Sequence, residues 1–136
     1  MTQPSPIHNP NAQASYDYLM NQGSGFAMKL PNSDQAEISM QKLVGYCLNA
    51  DHPSGKHKAR VFESALNITA SNANFLQELI QIAAIEGEVV QQDATAFGQV
   101  LKVDWTVPDT NGIELRTIWE VRTENSNPRL ISAFIK

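Results

Sequence analysis

The fold is decided by residues 97–122, which read FGQVLKVDWTVPDTNGIELRTIWEVR. Apolar and polar residues alternate on both sides of the central PDTNG, which is typical of two strands that each bury one face. The Asn111-Gly112 pair supplies the positive φ angles that a tight hairpin turn requires. We therefore predict an antiparallel hairpin, with the odd-numbered residues from Leu115 to Val121 sharing one face.

Further strands extend this hairpin on both sides. Residues 88–92 form a short apolar-polar run before it, and residues 124–128 form a second turn rich in polar residues and proline. Arg129 to Ile135 then reads as a last strand. Because each connection is short, the strands should pair in sequence order. The sequence predicts a four-stranded antiparallel meander, with Trp105 and Trp119 as core aromatics.

Three helical patterns precede the sheet. Ser39 is a suitable N-cap for a helix that ends near Asn49, and Ser54 for a second helix that runs to about Asn67. Ser71 would cap the third, which Gly87 would end. The apolar stripes comprise Met40, Leu43, Val44, Cys47 and Leu48, then Val61, Phe62, Ala65 and Leu66, then Phe75, Leu76, Leu79, Ile80 and Ala83. We predict an α+β fold in which about three N-terminal helices pack on one face of the four-stranded sheet.

Composition limits the class of protein. The chain has 136 residues, of which 42 % are hydrophobic, and this is enough for one domain with a buried core. We expect residues 1–28 to be a flexible or loosely docked tail and residues 29–136 to be a single domain. No run is long enough to span a bilayer, and the N-terminus lacks the features of a secretory signal. The single cysteine, Cys47, lies on an apolar stripe, so we expect a buried thiol in a cytoplasmic protein.

A basic run at residues 55–60, GKHKAR, stands out in a chain with a net charge of −4. Cations in the first turn of a helix cost about 0.3–1 kcal/mol each, because the helix dipole is positive there. The same turn suits an anion, and Lys56, Lys58 and Arg60 are the candidate anion-binding residues. At 100° per residue Lys58 projects onto the apolar stripe and His57 onto its flank. Alternatively, these are solvated charges, and Lys58 extends past the edge of the sheet.

The sheet contributes further candidates. Arg116 and Arg129 could neutralise a phosphate, and Ser132 lies between the apolar Leu130 and Phe134. A polar side chain in a β core needs a hydrogen bond, so Ser132 is a candidate site residue. The histidines lack metal-ligand spacing, and no glycine-rich phosphate loop follows a strand. We predict neither a metal site nor a cofactor.

Three segments carry a resemblance to a known family: residues 49–62, NADHPSGKHKARVF, residues 116–119, RTIW, and residues 128–131, PRLI. Together they resemble a family of small uncharacterised bacterial domains that is common in cyanobacteria. The resemblance covers about residues 29–136. It implies a domain of unknown function with an HPxGxHKARVF-type motif, and the resemblance implies no particular activity.

A more distant resemblance is to the barnase–EndoU–colicin–RelE group of metal-independent ribonucleases. Several members place helices before a four-stranded antiparallel sheet, with His, Lys, Arg and Ser or Thr in the cleft. The resemblance implies RNA cleavage, with His57 as general acid or base and Lys58, Arg116, Arg129 and Ser132 around the phosphate. The alternative is a non-catalytic module that binds a protein partner, as an immunity protein does. The acidic net charge does not favour tight RNA binding.

Overall fold

The computed structural model describes residues 28–123 and 126–136, and within these ranges the chain forms three helices and four strands. Helix α1 consists of one α-helical turn, Met40–Lys42, followed by a π-helical turn, Leu43–Cys47. Single 3₁₀ turns lie at Ser33–Gln35 and Ala70–Asn72. The remaining elements are α2 (Lys56–Leu66), α3 (Ala73–Glu86), β1 (Glu88–Thr95), β2 (Gly98–Thr106), β3 (Glu114–Val121) and β4 (Arg129–Ile135).

The strands form one antiparallel sheet in the order β1-β2-β3-β4, so the predicted α+β class and four-stranded sheet are confirmed. The predicted face of β3 is also confirmed, because its odd-numbered residues from Leu115 to Val121 are all buried. One of them, Thr117, is polar, and its hydroxyl accepts a hydrogen bond of 2.7 Å from the indole N–H of Trp119. The turn before β3 has positive φ at Asn111 and Gly112, as the sequence predicted.

The first hairpin differs from the prediction. Strand β1 extends to Thr95, three residues further than expected. Phe97, predicted to begin the next strand with its side chain in the apolar face, lies in the turn with 72 % of its surface exposed. Gly98 follows with φ 137°, and a Cβ atom there would lie 2.7 Å from Cα of Arg122. The strand therefore begins at a position that only glycine can occupy.

The helices do not form the single layer on the sheet that we predicted. Helix α1 packs mainly against α2 and α3, while α2 lies against β4 and α3 against β2 and β3. The π-helical turn also disrupts the predicted stripe of α1, because a count of 3.6 residues per turn no longer applies. As a result Met40 and Val44 are 37 % and 41 % exposed, whereas Cys47 is buried as expected.

Two predicted helix caps are wrong. The Ser39 hydroxyl does cap α1, accepting from the Lys42 N–H at 3.3 Å. In contrast, the residue before α2 is Gly55, and the turn before α3 is capped by Thr69. Gly87 ends α3 for a different reason from the one expected. Its φ is −70°, but a Cβ atom would lie 2.5 Å from the Ala83 carbonyl oxygen.

The free edge of β4 is covered by the chain before α2. Glu37 forms a parallel bridge there: its N–H donates to the Pro128 carbonyl at 2.8 Å, and its carbonyl accepts from the Leu130 N–H at 3.0 Å. Further along, the π-helical turn of α1 and helix α2 both pack against β4, and the Cys47 thiol is buried. Burial raises the pKa of this thiol. Helix α1 and the start of α2 are thereby held beside the middle of β4.

Candidate anion-binding site

The loop before α2 is organised by His52. Its ring Nδ1 accepts hydrogen bonds from the backbone N–H groups of Ser54 and Gly55, both at 3.0 Å, and its carbonyl accepts from the Lys56 N–H at 3.1 Å. Because Nδ1 is an acceptor, the ring proton lies on Nε2. The imidazole thus orders the turn before α2 but does not cap the helix, because the N-cap is Gly55 and, in the described residues, no side chain accepts from the first-turn N–H groups.

Helix α2 begins in close contact with α1. A Cβ atom on Gly55 would overlap the backbone carbonyl oxygen of Tyr46 and lie 3.3 Å from Cδ1 of its ring. The His52 ring packs edge-on against the Tyr46 ring, with centroids 5.0 Å apart. Glycine at position 55 therefore allows the start of α2 to approach the face of Tyr46.

Lys58 extends from α2 into a group of side chains that we call the Lys58 cluster, comprising Tyr46, Lys58, Ser132 and Phe134. Its ammonium donates to the Tyr46 hydroxyl at 2.6 Å and to the Ser132 hydroxyl at 3.4 Å. The same nitrogen lies 4.8 Å from the centroid of the Tyr46 ring and 5.5 Å from that of Phe134. Both rings are close enough for cation–π attraction.

The charge of Lys58 has no acidic partner among residues 28–123 and 126–136. The first turn of α2 also lacks an acidic residue. In the described ranges no acceptor is present for the backbone N–H groups of His57 and Lys58, which are second and third in the helix. The start of α2 therefore combines free N–H donors, the positive end of the helix dipole and an ammonium that no carboxylate neutralises.

The other basic residues of the run are more exposed. Arg60 and His57 are exposed, and Lys56 is half-buried. Within the described part of the chain, none of the three side chains makes a hydrogen bond or an ion pair. Their predicted roles in binding and catalysis stay predictions.

Arg116 is held on the sheet by an acid. Its Nε donates to Asp104 Oδ1 at 2.7 Å and its Nη2 to Asp104 Oδ2 at 2.9 Å, a bidentate pair. Lys136 adds a third bond to the same carboxylate, at 3.0 Å. The Arg116 guanidinium, more than Lys136, holds the pKa of Asp104 below its ordinary value.

Arg129 is similarly paired. Its Nη2 lies 2.6 Å from Glu120 Oε1, which Arg122 also approaches at 3.3 Å. This contact with Arg129 is the main reason that the pKa of Glu120 is lowered. Both arginines that the sequence assigned to a phosphate thus have carboxylate partners, so their charge is largely compensated.

The structure brings together two of the five predicted catalytic residues, Lys58 and Ser132, although 74 positions separate them. Sequence reasoning missed their neighbours Tyr46 and Phe134, and it missed the hydrogen bonds that His52 accepts in the turn before α2. The hydroxyl of Tyr46, between the buried Leu43 and Cys47 and the next helix, was the one local signal for a polar contact. In the described residues no group of three or more His, Cys, Asp or Glu side chains could hold a metal ion.

Comparison with known proteins gives a family for the chain. The family described as a domain of unknown function (DUF6883) matches residues 29–136, and the chain belongs to this family. No curated protein and no solved structure matches the chain. No helix in the described residues is both long enough and apolar enough to cross a membrane.

Proposed function

We propose that this member of the DUF6883 family binds RNA phosphate at the start of α2 and cleaves RNA without a metal ion. The observation that supports this most is the Lys58 ammonium, which two hydroxyls and two aromatic rings hold without a carboxylate in the described residues. A cation that is already paired with a carboxylate binds a phosphate weakly, because the carboxylate competes for the same N–H donors. Lys58 keeps its charge available, whereas Arg116 and Arg129 do not.

The hydroxyls of the Lys58 cluster increase this capacity. The hydroxyl oxygens of Tyr46 and Ser132 accept from the Lys58 ammonium. The hydroxyl hydrogens of both residues therefore point away from Lys58 and are free to donate to a ligand. A phosphate at the cluster would then meet an ammonium, up to two O–H donors and the backbone N–H groups of the first turn of α2. Such convergence of charge-assisted donors is what an anion site requires.

The proposed reaction is an internal transfer of the phosphoryl group. The ribose 2′-oxygen attacks the adjacent phosphorus, the P–O5′ bond breaks, and a 2′,3′-cyclic phosphate and a 5′-hydroxyl result. His57 acts either as general base towards the 2′-hydroxyl or as general acid towards the leaving 5′-oxygen, and water takes up or supplies the other proton. Lys58 compensates the charge that develops on the non-bridging oxygens, and Ser132 orients one of them. Arg116 and Arg129 would contribute only after leaving Asp104 and Glu120.

The setting we propose is the bacterial cytoplasm. Cys47 is the only cysteine of the sequence, and its thiol is buried. A reduced, buried thiol is typical of proteins from reducing compartments.

The test compares binding and cleavage of fluorescent single-stranded RNA by the full chain and by Lys58→Met. The variant removes the charge but keeps an unbranched side chain, and we expect binding to weaken by about tenfold or more. Lys29→Met is the matched control, since the Lys29 ammonium donates to the Glu86 carbonyl, in the last residue of α3, and not to the Lys58 cluster. His57→Ala should abolish cleavage with little effect on binding.

Three outcomes separate the parts of the proposal. Binding without cleavage by clean wild-type protein would retain the RNA site and reject the ribonuclease. Equal binding by the Lys58→Met and Lys29→Met variants would reject the site itself. Absence of both binding and cleavage on RNAs of varied sequence would reject the whole proposal.

A second candidate, a non-catalytic module that binds a protein, is favoured by a different surface. A groove of about 550 Å³ lies between the end of α2, the start of α3 and the turn that connects β2 with β3. Its lining is mainly apolar and includes Leu66, Phe75, Val107 and Pro108. An apolar segment of a partner protein would fit such a groove, as expected for an immunity-like module. Loss of partner binding in Phe75→Ser, with retention in Lys58→Met, would support this alternative.

A further inference from the structure

The sheet has a second face, opposite the face that packs against α3. On β3 the even-numbered residues lie on this second face, because the odd-numbered residues are buried in the core. Cross-strand partners of an antiparallel sheet share a face, so Lys102 and Ser132, the two partners of Ile118, lie there as well. On β2 and β3 every side chain of this face is at least partly exposed. We call it the open face.

Lys58 reaches the open face over the edge of β4. Its ammonium donates to the Ser132 hydroxyl at 3.4 Å and lies 5.5 Å from the centroid of the Phe134 ring. Ser132 pairs with Ile118, and Phe134 pairs with Arg116, so both side chains point to the open face. The Lys58 ammonium therefore lies beside the open face and not in the core.

A row of side chains crosses the open face at this level. It consists of Ser132, Ile118 and Lys102, which are successive cross-strand partners. Because neighbouring strands are about 4.8 Å apart, the Cα atoms of Ser132 and Lys102 are about 10 Å apart. The row thus has a cation at each end, Lys58 beside Ser132 and Lys102 two strands away, with an apolar residue between them.

The charge on this face favours an anionic ligand. Within the part of the chain that the structure describes, the Lys102 ammonium forms no ion pair, and the two acids nearest to it along the strands have cationic partners. Each is held by two cations: Asp104 by Arg116 and Lys136, and Glu120 by Arg122 and Arg129. Lys136 also contacts Glu114, so the first group is neutral, whereas the second has one positive charge in excess. The open face over β2 to β4 is therefore positive in a chain whose net charge is −4.

We propose that the open face extends the RNA site, and that single-stranded RNA crosses the strands along this row. The inference rests on the proposed function, because Lys58 holds the first phosphate. Lys102 contacts a later phosphate of the same RNA strand, and a base packs on Ile118 between them. A row of about 10 Å accommodates two or three nucleotides, at about 3.4 Å for each stacked nucleotide.

The apolar centre of the row favours a single strand over a duplex. The bases of single-stranded RNA are exposed and pack against protein side chains, whereas an RNA duplex presents mainly phosphates and 2′-hydroxyls. Ile118 is partly exposed and offers such a contact. Two cations with an apolar residue between them match the alternation of phosphate and base along one strand.

The experiment compares the binding of two RNAs to the full chain. A single-stranded hexanucleotide is followed by fluorescence anisotropy, and a dinucleotide with one phosphate is followed by NMR titration. We expect Lys102→Met to weaken hexanucleotide binding by about tenfold and to reduce the slope of the log binding constant against log salt by about 0.7. Dinucleotide binding should not change in this variant, whereas Lys58→Met should weaken the binding of both RNAs.

Further variants and a second ligand serve as controls. Lys102→Gln should behave as Lys102→Met does, Lys102→Arg should retain binding, and Lys29→Met should leave the binding of both RNAs unchanged. Ile118→Thr keeps a β-branched side chain in the strand and should weaken hexanucleotide binding by about fivefold. A blunt-ended RNA duplex should bind more weakly than the hexanucleotide despite its higher charge density. Urea unfolding shows that each variant is folded.

The outcomes separate this inference from the proposed function. Weaker hexanucleotide binding in Lys58→Met but not in either neutral Lys102 variant would retain the RNA site and overturn the path across the sheet. Weaker binding in the Lys102 variants alone would also overturn the path, because it would not begin at Lys58. Duplex binding as tight as that of the single strand would overturn the choice of ligand. Absence of RNA binding by the wild type would reject the proposed function and this inference together.

Discussion

Replacing Gly55 by alanine tests whether the contact between α1 and α2 sets the geometry of the Lys58 cluster. The added Cβ would overlap the Tyr46 carbonyl oxygen and lie 3.2 Å from its carbonyl carbon. Both are backbone atoms, so the start of α2 has to move. Overpacking of this kind costs about 1–3 kcal/mol, and the lower entropy of the unfolded alanine chain returns about 0.4–1 kcal/mol. We expect the free energy of unfolding to fall by about 1–2 kcal/mol.

The same change should weaken RNA binding beyond its effect on stability. Tyr46 supplies a hydroxyl and a ring to the Lys58 ammonium, so a shift of α2 away from Tyr46 lengthens both contacts. Urea unfolding measures the stability, and binding is compared at a temperature where both proteins are folded. The control is Gly45→Ala in α1, where a Cβ meets no atom within 4 Å. This control should stabilise the protein by about 0.4–1 kcal/mol.

The two glycines thus predict opposite signs for the same chemical change. A Gly55→Ala variant as stable as wild type would mean that α1 and α2 are not in close contact, and the described geometry of the cluster would be wrong. A loss of stability with unchanged RNA binding would refute the link between this contact and the site.

Three further predictions concern the frame of the site. Gly87→Ala should lower the free energy of unfolding by about 1–3 kcal/mol, because its Cβ would lie 2.5 Å from Val103 Cγ1; denaturant unfolding measures this, and equal stability would contradict it. His52→Ala removes the acceptor of two turn N–H groups and should lower the free energy of unfolding by about 1 kcal/mol, whereas His52→Asn should restore part of the loss, and urea unfolding measures both. Arg116 lowers the pKa of Asp104 in the folded state. The stability that the ion pair contributes is therefore fully present above the unfolded carboxyl pKa of about 3.9. It is lost as the pH falls through the lower pKa of the folded state. Asp104→Asn should accordingly flatten the acid limb of a plot of stability against pH, and an unchanged slope would contradict this.

The sheet was predictable because its determinants are local. Alternation over residues 114–121 fixes which side of β3 is buried, and the Asn111-Gly112 turn fixes where the preceding strand ends. Helix α1 was not predictable in detail. Its sequence fits a regular amphipathic helix, and the π-helical turn that exposes Val44 depends on packing against α2 and α3. Tertiary contacts override the local periodicity there.

The site was predictable in part for the same reason. A helical count placed Lys58 on the apolar side of α2, and a polar residue in an apolar strand marked Ser132. Their contact joins a helix to a strand 74 positions later, and no local pattern encodes it. The pairing of Arg116 with Asp104 could have been inferred once the hairpin register was assigned, because these residues are direct cross-strand partners.

Replacing Lys58 by methionine separates a structural role from a ligand-binding one. If Lys58 only filled the space between Tyr46 and Phe134, an apolar side chain would serve better, because it needs no compensation for a partly desolvated charge. We therefore expect Lys58→Met to keep the free energy of unfolding within about 1 kcal/mol of wild type, or to raise it. The same variant should lose RNA binding, and the dependence of binding on salt should fall by about one phosphate contact. A large loss of stability with unchanged binding would mean that the cluster supports the fold and that the anion binds elsewhere.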